Sequence, residues 1–249
     1  MFTKVKTDKE IEFMKTSGQM LATILDLMRR NTESGVTPKE LAIMAAKELK
    51  SLGGKPTFLN YHGFPDVICI SVNEEVVHGI PNDRQLIEGD VISYDFGVNY
   101  RGMITDSAIT VPIGKISPEV GKLISATKES LHAGMNQLKD GCKVGDIGAA
   151  VQKVLDDNKL GIVRDLVGHG VGHQLHEDPN IPNYGTKGTG PALSAGMTIA
   201  IEPMAMLGDD DVVLDEDGWT VVTADNSIAA HFEHTVLITK DGFQIVSQI

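Results

Sequence analysis

Asp95 and Asp106 bracket the turn-like run Asn99-Tyr100-Arg101-Gly102. A turn centred there joins two antiparallel strands with the aspartates directly opposite, their Cβ atoms about 4.5–5.5 Å apart. Two carboxylates that close repel unless a cation neutralises them or one keeps a proton. The apolar neighbours Ile92, Phe96, Ile104 and Ile109 predict a partly buried strand pair, which sharpens the conflict, and a divalent metal is the economical answer. Glu202 and Glu233 repeat the arrangement later in the chain. Four carboxylates would balance two divalent ions, and His169, in the turn-like Gly168-His169-Gly170, completes a set of one histidine and four carboxylates. Such oxygen-rich ligation suits Mn, Fe or Co better than a closed structural zinc site, and a two-metal centre can activate water against a carbonyl. A strand aspartate taken alone, in a chain with 34 acidic residues, is ordinarily solvated or capping. The repetition carries the argument.

That repetition runs through the chain. At one constant spacing, His62–Gly63 falls on His169–Gly170, and Leu86, Gly89, Ile92 and Asp95 fall on Leu193, Gly196, Ile199 and Glu202. Helices are predicted after Thr7, with Glu10 completing a capping box, and after Thr37, with Pro38 in the first turn and Glu40 three residues on. Two more begin at Ser117-Pro118-Glu119 and after Gly145–Asp146, and strand-like runs cover 67–72, 91–98, 104–111, 198–203 and 232–239. The reading is α+β: two pseudo-equivalent halves, about 1–116 and 117–249, each a helix pair followed by antiparallel strands. Neither half would be stable alone if the strands form one sheet, so the reading is a single domain over 1–249.

Composition fits such a core, with 41% hydrophobic and 22% charged residues. A net charge of -12 argues against stable nucleic-acid binding. Two cysteines, Cys69 and Cys142, imply no disulfide framework. The charged start and the absence of a long apolar run predict a soluble, cytoplasmic protein with no membrane association.

Asp95–Asp106, GHGVGHQLHEDP (168–179), TIAIEPM (198–204) and HFEHTV (231–236), with VVHGIP (76–81), resemble the type I methionine aminopeptidases over nearly the whole chain. The resemblance implies the pita-bread fold, a curved antiparallel sheet backed by helices with metals at the seam between halves. It also implies removal of the first methionine from nascent proteins with a small second residue, by attack of a metal-bridging hydroxide. The cofactors implied are two divalent ions, Mn, Fe(II) or Co, with Zn also compatible. Asp95 would chelate one ion, Asp106 and Glu233 bridge both, and His169 with Glu202 hold the other; Glu202 would also shuttle the proton. His176 resembles the histidine that stabilises the tetrahedral intermediate, and His78 the one that contacts the scissile amide. Tyr61, Phe64, Cys69 and Trp219 would line the methionine pocket, with Phe58 and Leu175 close by. The expected partners are nascent polypeptide N-termini, with transient ribosome contact, and the expected state is a monomer.

The sequence departs from the common bacterial pattern at four positions: Phe58 for cysteine, Leu175 for phenylalanine, His173 for arginine and His231 for glutamine. His62 is read as part of the pocket wall or as a residue behind the metal ligands, and His231 as a neighbour of those ligands. A His169–His173–His176 zinc triad is disfavoured because the intervening glycines oppose a helix. Asp209-Asp210-Asp211 reads as a solvated loop. A proline-directed peptidase would need an N-terminal domain that is missing, and a catalytically dead binding module would be expected to have lost metal ligands.

Overall fold

The computed structural model describes residues 5–248. Its four helices form where the caps predict. Asp8–Asn31 (α1) and Pro38–Leu52 (α2) each begin with a complete capping box, Thr7 with Glu10 and Thr37 with Glu40, and α2 ends on Gly53 in the left-handed conformation. Pro118–Met135 (α3) is capped by the Ser117 side chain. Val144–Asp157 (α4) starts slightly ahead of the expected Gly145–Asp146, because the Asp146 carboxylate reaches back to the Lys143 N–H.

The centre of the first half is a long hairpin, Val91–Tyr100 with Met103–Pro112. Cys69–Val72 pairs with the other edge of its first strand. The register corrects the expected one. The turn has two residues, Arg101 at φ 53° and Gly102 at φ 88°, the positive-φ combination that suits hairpin twist. Asn99 Oδ1 accepts the Gly102 N–H at 3.0 Å. Asp95 therefore faces Ala108 and Asp106 faces Gly97. The two aspartates share a face but sit diagonally, a relation still within side-chain reach.

The second half holds a five-stranded sheet, in the order Phe243–Ile245, His234–Ile238, Thr198–Ile201, Gly168–Gly170, Glu177–Ile181. Gly168-His169-Gly170 is thus a strand rather than a turn. His169 pairs with Ala200, and a Cβ on Gly168 would meet Ala200 O at 2.5 Å, so glycine allows the close approach.

Each half has its own helix-backed core. Leu21, Ile24, Met28, Leu41, Ile92 and Phe96 pack in the first; Leu123, Met135, Ile147, Val151, Ile199 and Val236 pack in the second. The halves are sewn together along Met103–Pro112. Asp106 N–H donates to Thr235 Oγ1 (2.9 Å), which donates back to Asp106 O (2.7 Å), and Glu233 N–H donates to Ala108 O (2.9 Å). Thr110 Oγ1 donates to His231 O at 2.7 Å. The stitching is densest where the acidic residues lie.

Candidate active site and metal centre

Asp95 and Asp106 reach the site from the hairpin of the first half, and His169 from the strand Gly168–Gly170 of the second. Glu202 and Glu233 lie in a gap between two short strand pairings, His234 with Ile201 on one side and Met204 with His231 on the other. The unbroken register across that gap sets the two glutamates directly opposite each other. All five side chains line one cavity of ≈ 290 Å³.

Ligand atoms of Asp106, His169 and Glu233 lie within 4.8 Å of one another. His169 Nε2 stands 3.5 Å from Glu202 Oε1 and 4.0 Å from Asp106 Oδ2. Its Nδ1 is 2.9 Å from Gly170 O, so the proton sits on Nδ1 and the Nε2 lone pair faces the carboxylates. Burial, then the neighbouring His176, pushes the His169 pKa down to about 3, which keeps the ring neutral and able to ligate.

The carboxylates respond in the opposite sense. Burial, joined by repulsion from Glu202, pushes Asp95 up to about 7, and burial pushes Glu202 up to about 8. Asp106 and Glu233 are also raised, first by burial and then by their acidic neighbours. Asp95 Oδ1, Asp106 Oδ1 and Glu233 Oε1 are buried without a hydrogen-bond partner. Orphaned buried acceptors on mutually repelling acids are costly, and cations satisfy both demands. The donor set therefore fits divalent metal ions.

The remaining expected residues surround this floor. Tyr61, Phe64, Cys69, Trp219, Phe58 and Leu175 line the cavity, with Phe64 edge-on to Trp219 at 5.4 Å. Burial and nearby carboxylates push the Cys69 thiol up, so it remains a thiol. His78, His176 and His62 line it too. His176 Nδ1 lies 2.9 Å from Tyr61 Oη, and its ring is 4.3 Å from that of His169. Burial lowers the pKa of both His78 and His176, helped by their histidine neighbours.

His173 does not join the others. It turns outward, with Nε2 2.7 Å from Glu10 Oε1, so no His169–His173–His176 triad forms. His231 is buried beside the centre, its Nε2 3.6 Å from Glu202 Oε2. Asp210 pairs with Arg164 at 2.8 Å in its loop. The sequence reading missed two supports of the site. Thr235 holds the Asp106 backbone, and Asn183 Nδ2 donates to Glu202 O at 3.0 Å. The place of Thr235 two residues after Glu233 in the expected strand-like run 232–239 was an available signal; Asn183 had none.

The chain matches Metallopeptidase family M24 over residues 12–240. It is 43% identical over 244 residues to methionine aminopeptidase 1 of Bacillus subtilis, covering 98% of each chain. It is 43% identical to the methionine aminopeptidase of Aquifex aeolicus, covering 100% of both. The crystal structure of methionine aminopeptidase from Thermotoga maritima superposes with a TM-score of 0.98 at 43% identity, over 100% of both chains. Prolidase from Pyrococcus furiosus shares the fold, with a TM-score of 0.80 at 21% identity over 98% of this chain and 65% of that one. With the pita-bread fold and these relatives along its full length, the chain belongs to metallopeptidase family M24, among the methionine aminopeptidases.

Proposed function

We propose that this protein removes the N-terminal methionine from nascent proteins and peptides with a small second residue. Asp95, Asp106, His169, Glu202 and Glu233 would hold two divalent cations, of which Mn, Fe(II) and Co suit the oxygen-rich set best. One observation carries the reading: buried, unpartnered carboxylate oxygens converge with a neutral histidine at the floor of a largely apolar cavity.

Bound there, the cations would supply Lewis acidity to the scissile carbonyl and acidify a water molecule. In this reading Glu202 would take the proton of the attacking water and return it to the leaving amine. When the Tyr61 hydroxyl, 2.9 Å away, donates to Nδ1, His176 carries its proton on Nε2 and would donate it to the developing oxyanion. His78 contacts the scissile amide from the other half of the molecule. Phe58, Tyr61, Phe64, Cys69, Leu175 and Trp219 give methionine an apolar pocket. A large second residue is excluded because the scissile bond must lie between the metal ligands and His78, where a displacement near 1 Å costs about 10² in rate.

We read 1–249 as a single catalytic domain acting as a monomer in the cytoplasm, with transient contact at the ribosome. Among the described residues, no helix is long and apolar enough to cross a membrane. Hydrolysis of Met-Ala-Ser, Met-Lys-Ser and Ala-Ala-Ser by the metal-loaded protein tests the function. Only the first should be cleaved, and comparable turnover of all three would overturn the reading.

A further inference from the structure

The residues just before α1 run against the loop that carries Leu175 and His176. That loop joins the strand Gly168–Gly170 to the strand Glu177–Ile181. Lys6 Nζ donates to Glu177 Oε2 at 2.8 Å, with the lysine side chain fully buried and the glutamate 9% exposed. The other oxygen, Glu177 Oε1, accepts the backbone N–H groups of His173 (2.6 Å) and Gln174 (3.0 Å). Lys6 N–H donates to Gly196 O at 2.8 Å, fixing the segment on the second half. His173 Nε2 meets Glu10 Oε1 at 2.7 Å, tying the same loop to the first turn of α1. Gly172, at φ 148°, leaves the passage open, since a Cβ there would lie 2.3 Å from Lys6 Cε.

We propose that Lys6 and Glu177 are positioning residues, a buried clamp that holds the 171–177 loop so that His176 meets the substrate carbonyl in register. The idea rests on the catalytic reading of His176 given above. Glu177 follows His176 directly, organises the loop backbone through Oε1 and is held by Lys6 through Oε2, so its placement sets the backbone from which His176 projects. A buried ion pair contributes little net stability against well-packed apolar groups, but it fixes geometry. A supporting shell of this kind keeps a catalytic group within the tolerance that rate demands. Tyr61 reaches His176 from the pocket side, and Ile104 N–H donates to Gly172 O at 2.7 Å from the hairpin, so the clamp closes the remaining side of the loop.

The test compares the full-length, metal-loaded protein with Lys6→Met on Met-Ala-Ser. The clamp predicts a kcat lower by about 10–10², as expected for a misplacement near 1 Å, with KM and metal content within roughly twofold of wild type. Hydrogen exchange read by mass spectrometry should rise about tenfold across 171–177 and stay unchanged across 91–100 and 198–201. A folded Lys6→Met protein with wild-type kcat and wild-type exchange in the loop overturns the proposal, and so does a defect confined to KM or to metal content. If Lys6→Met does not fold, Glu177→Gln removes the charge of the pair instead while keeping an acceptor for the His173 and Gln174 N–H groups. It should raise loop exchange and lower kcat, and no change in either overturns the clamp. An inactive wild type would count against the proposed function, while the exchange measurement would still decide whether the clamp exists.

Discussion

The two strand pairs that bring acids to the centre solve one problem in two ways. In the first half, Asp95 and Asp106 stand on a hairpin of two uninterrupted ten-residue strands, diagonal to each other. In the second, Glu202 and Glu233 stand directly opposite, but where the ladder is broken between two short pairings. Short side chains go with a rigid, regular frame, and longer ones with a locally open frame. A diagonal placement spreads the aspartate backbones apart and lets short carboxylates converge, while opposed glutamates gain reach from an extra methylene. The two strand pairs therefore present their acids in different geometries.

The largest effect expected is loss of Asp106 or Glu233, the carboxylates that the family resemblance assigns to both ions. Asp106→Asn and Glu233→Gln should each abolish turnover and bring metal content below two ions per chain by elemental analysis. A variant that keeps two ions and activity within tenfold removes its residue from the bridging role. His176→Ala should follow, with kcat down by about 10²–10³ and KM little changed, the cost of one oxyanion donor. A defect carried wholly by KM would make His176 a substrate-binding group.

Changing side-chain length tests the comparison itself. Asp95→Glu pushes an extra methylene into the rigid hairpin and should cost about 10² in kcat/KM, whereas Glu202→Asp at the open gap should cost nearer 10. Equal losses would mean that the two frames are equally stiff.

The smallest effect is on stability without metal. Asp95 and Glu202 titrate in the folded chain at about 7 and about 8, against ordinary values of 3.8 and 4.5. Raised carboxylates contribute stability that is present below the ordinary value and is lost as pH rises through the folded one. The buried histidines His169 and His234 act in the opposite sense, but only below their ordinary value of 6.5. The melting temperature of the chelated protein should therefore fall between about pH 6.5 and 8.5. Glu75, pushed up to about 7 mainly by burial, contributes to the same fall away from the centre. The informative quantity is thus the difference between chelated and metal-loaded protein. Asp95→Asn should remove the lower part of that difference and Glu202→Gln the upper part. A difference that is flat with pH would show that the acids of both halves are ionised before metal arrives.

Much of this was legible in the sequence because the chemistry is local. Capping boxes at Thr7 and Thr37 and the proline after Ser117 marked the helices. The metal-centre acids stood out because like charges recur on apolar strands. The register was misplaced because Arg101-Gly102 makes the tight turn without the usual asparagine-glycine signal, and that shift turned a direct pair into a diagonal one. His169 looked like a turn residue because flanking glycines mark turns and close strand approach alike. Contacts between distant segments, such as Lys6 with Glu177 and Asn183 with Glu202, leave no pattern along the chain.

The most direct test of the central claim is methionine release from Met-Ala-Ser by exhaustively chelated protein, before and after Mn, Co or Fe(II) is restored, with bound metal counted in the same samples. The account predicts no activity without metal and recovery as ions rebind. Full activity in protein verified to be metal-free would contradict it.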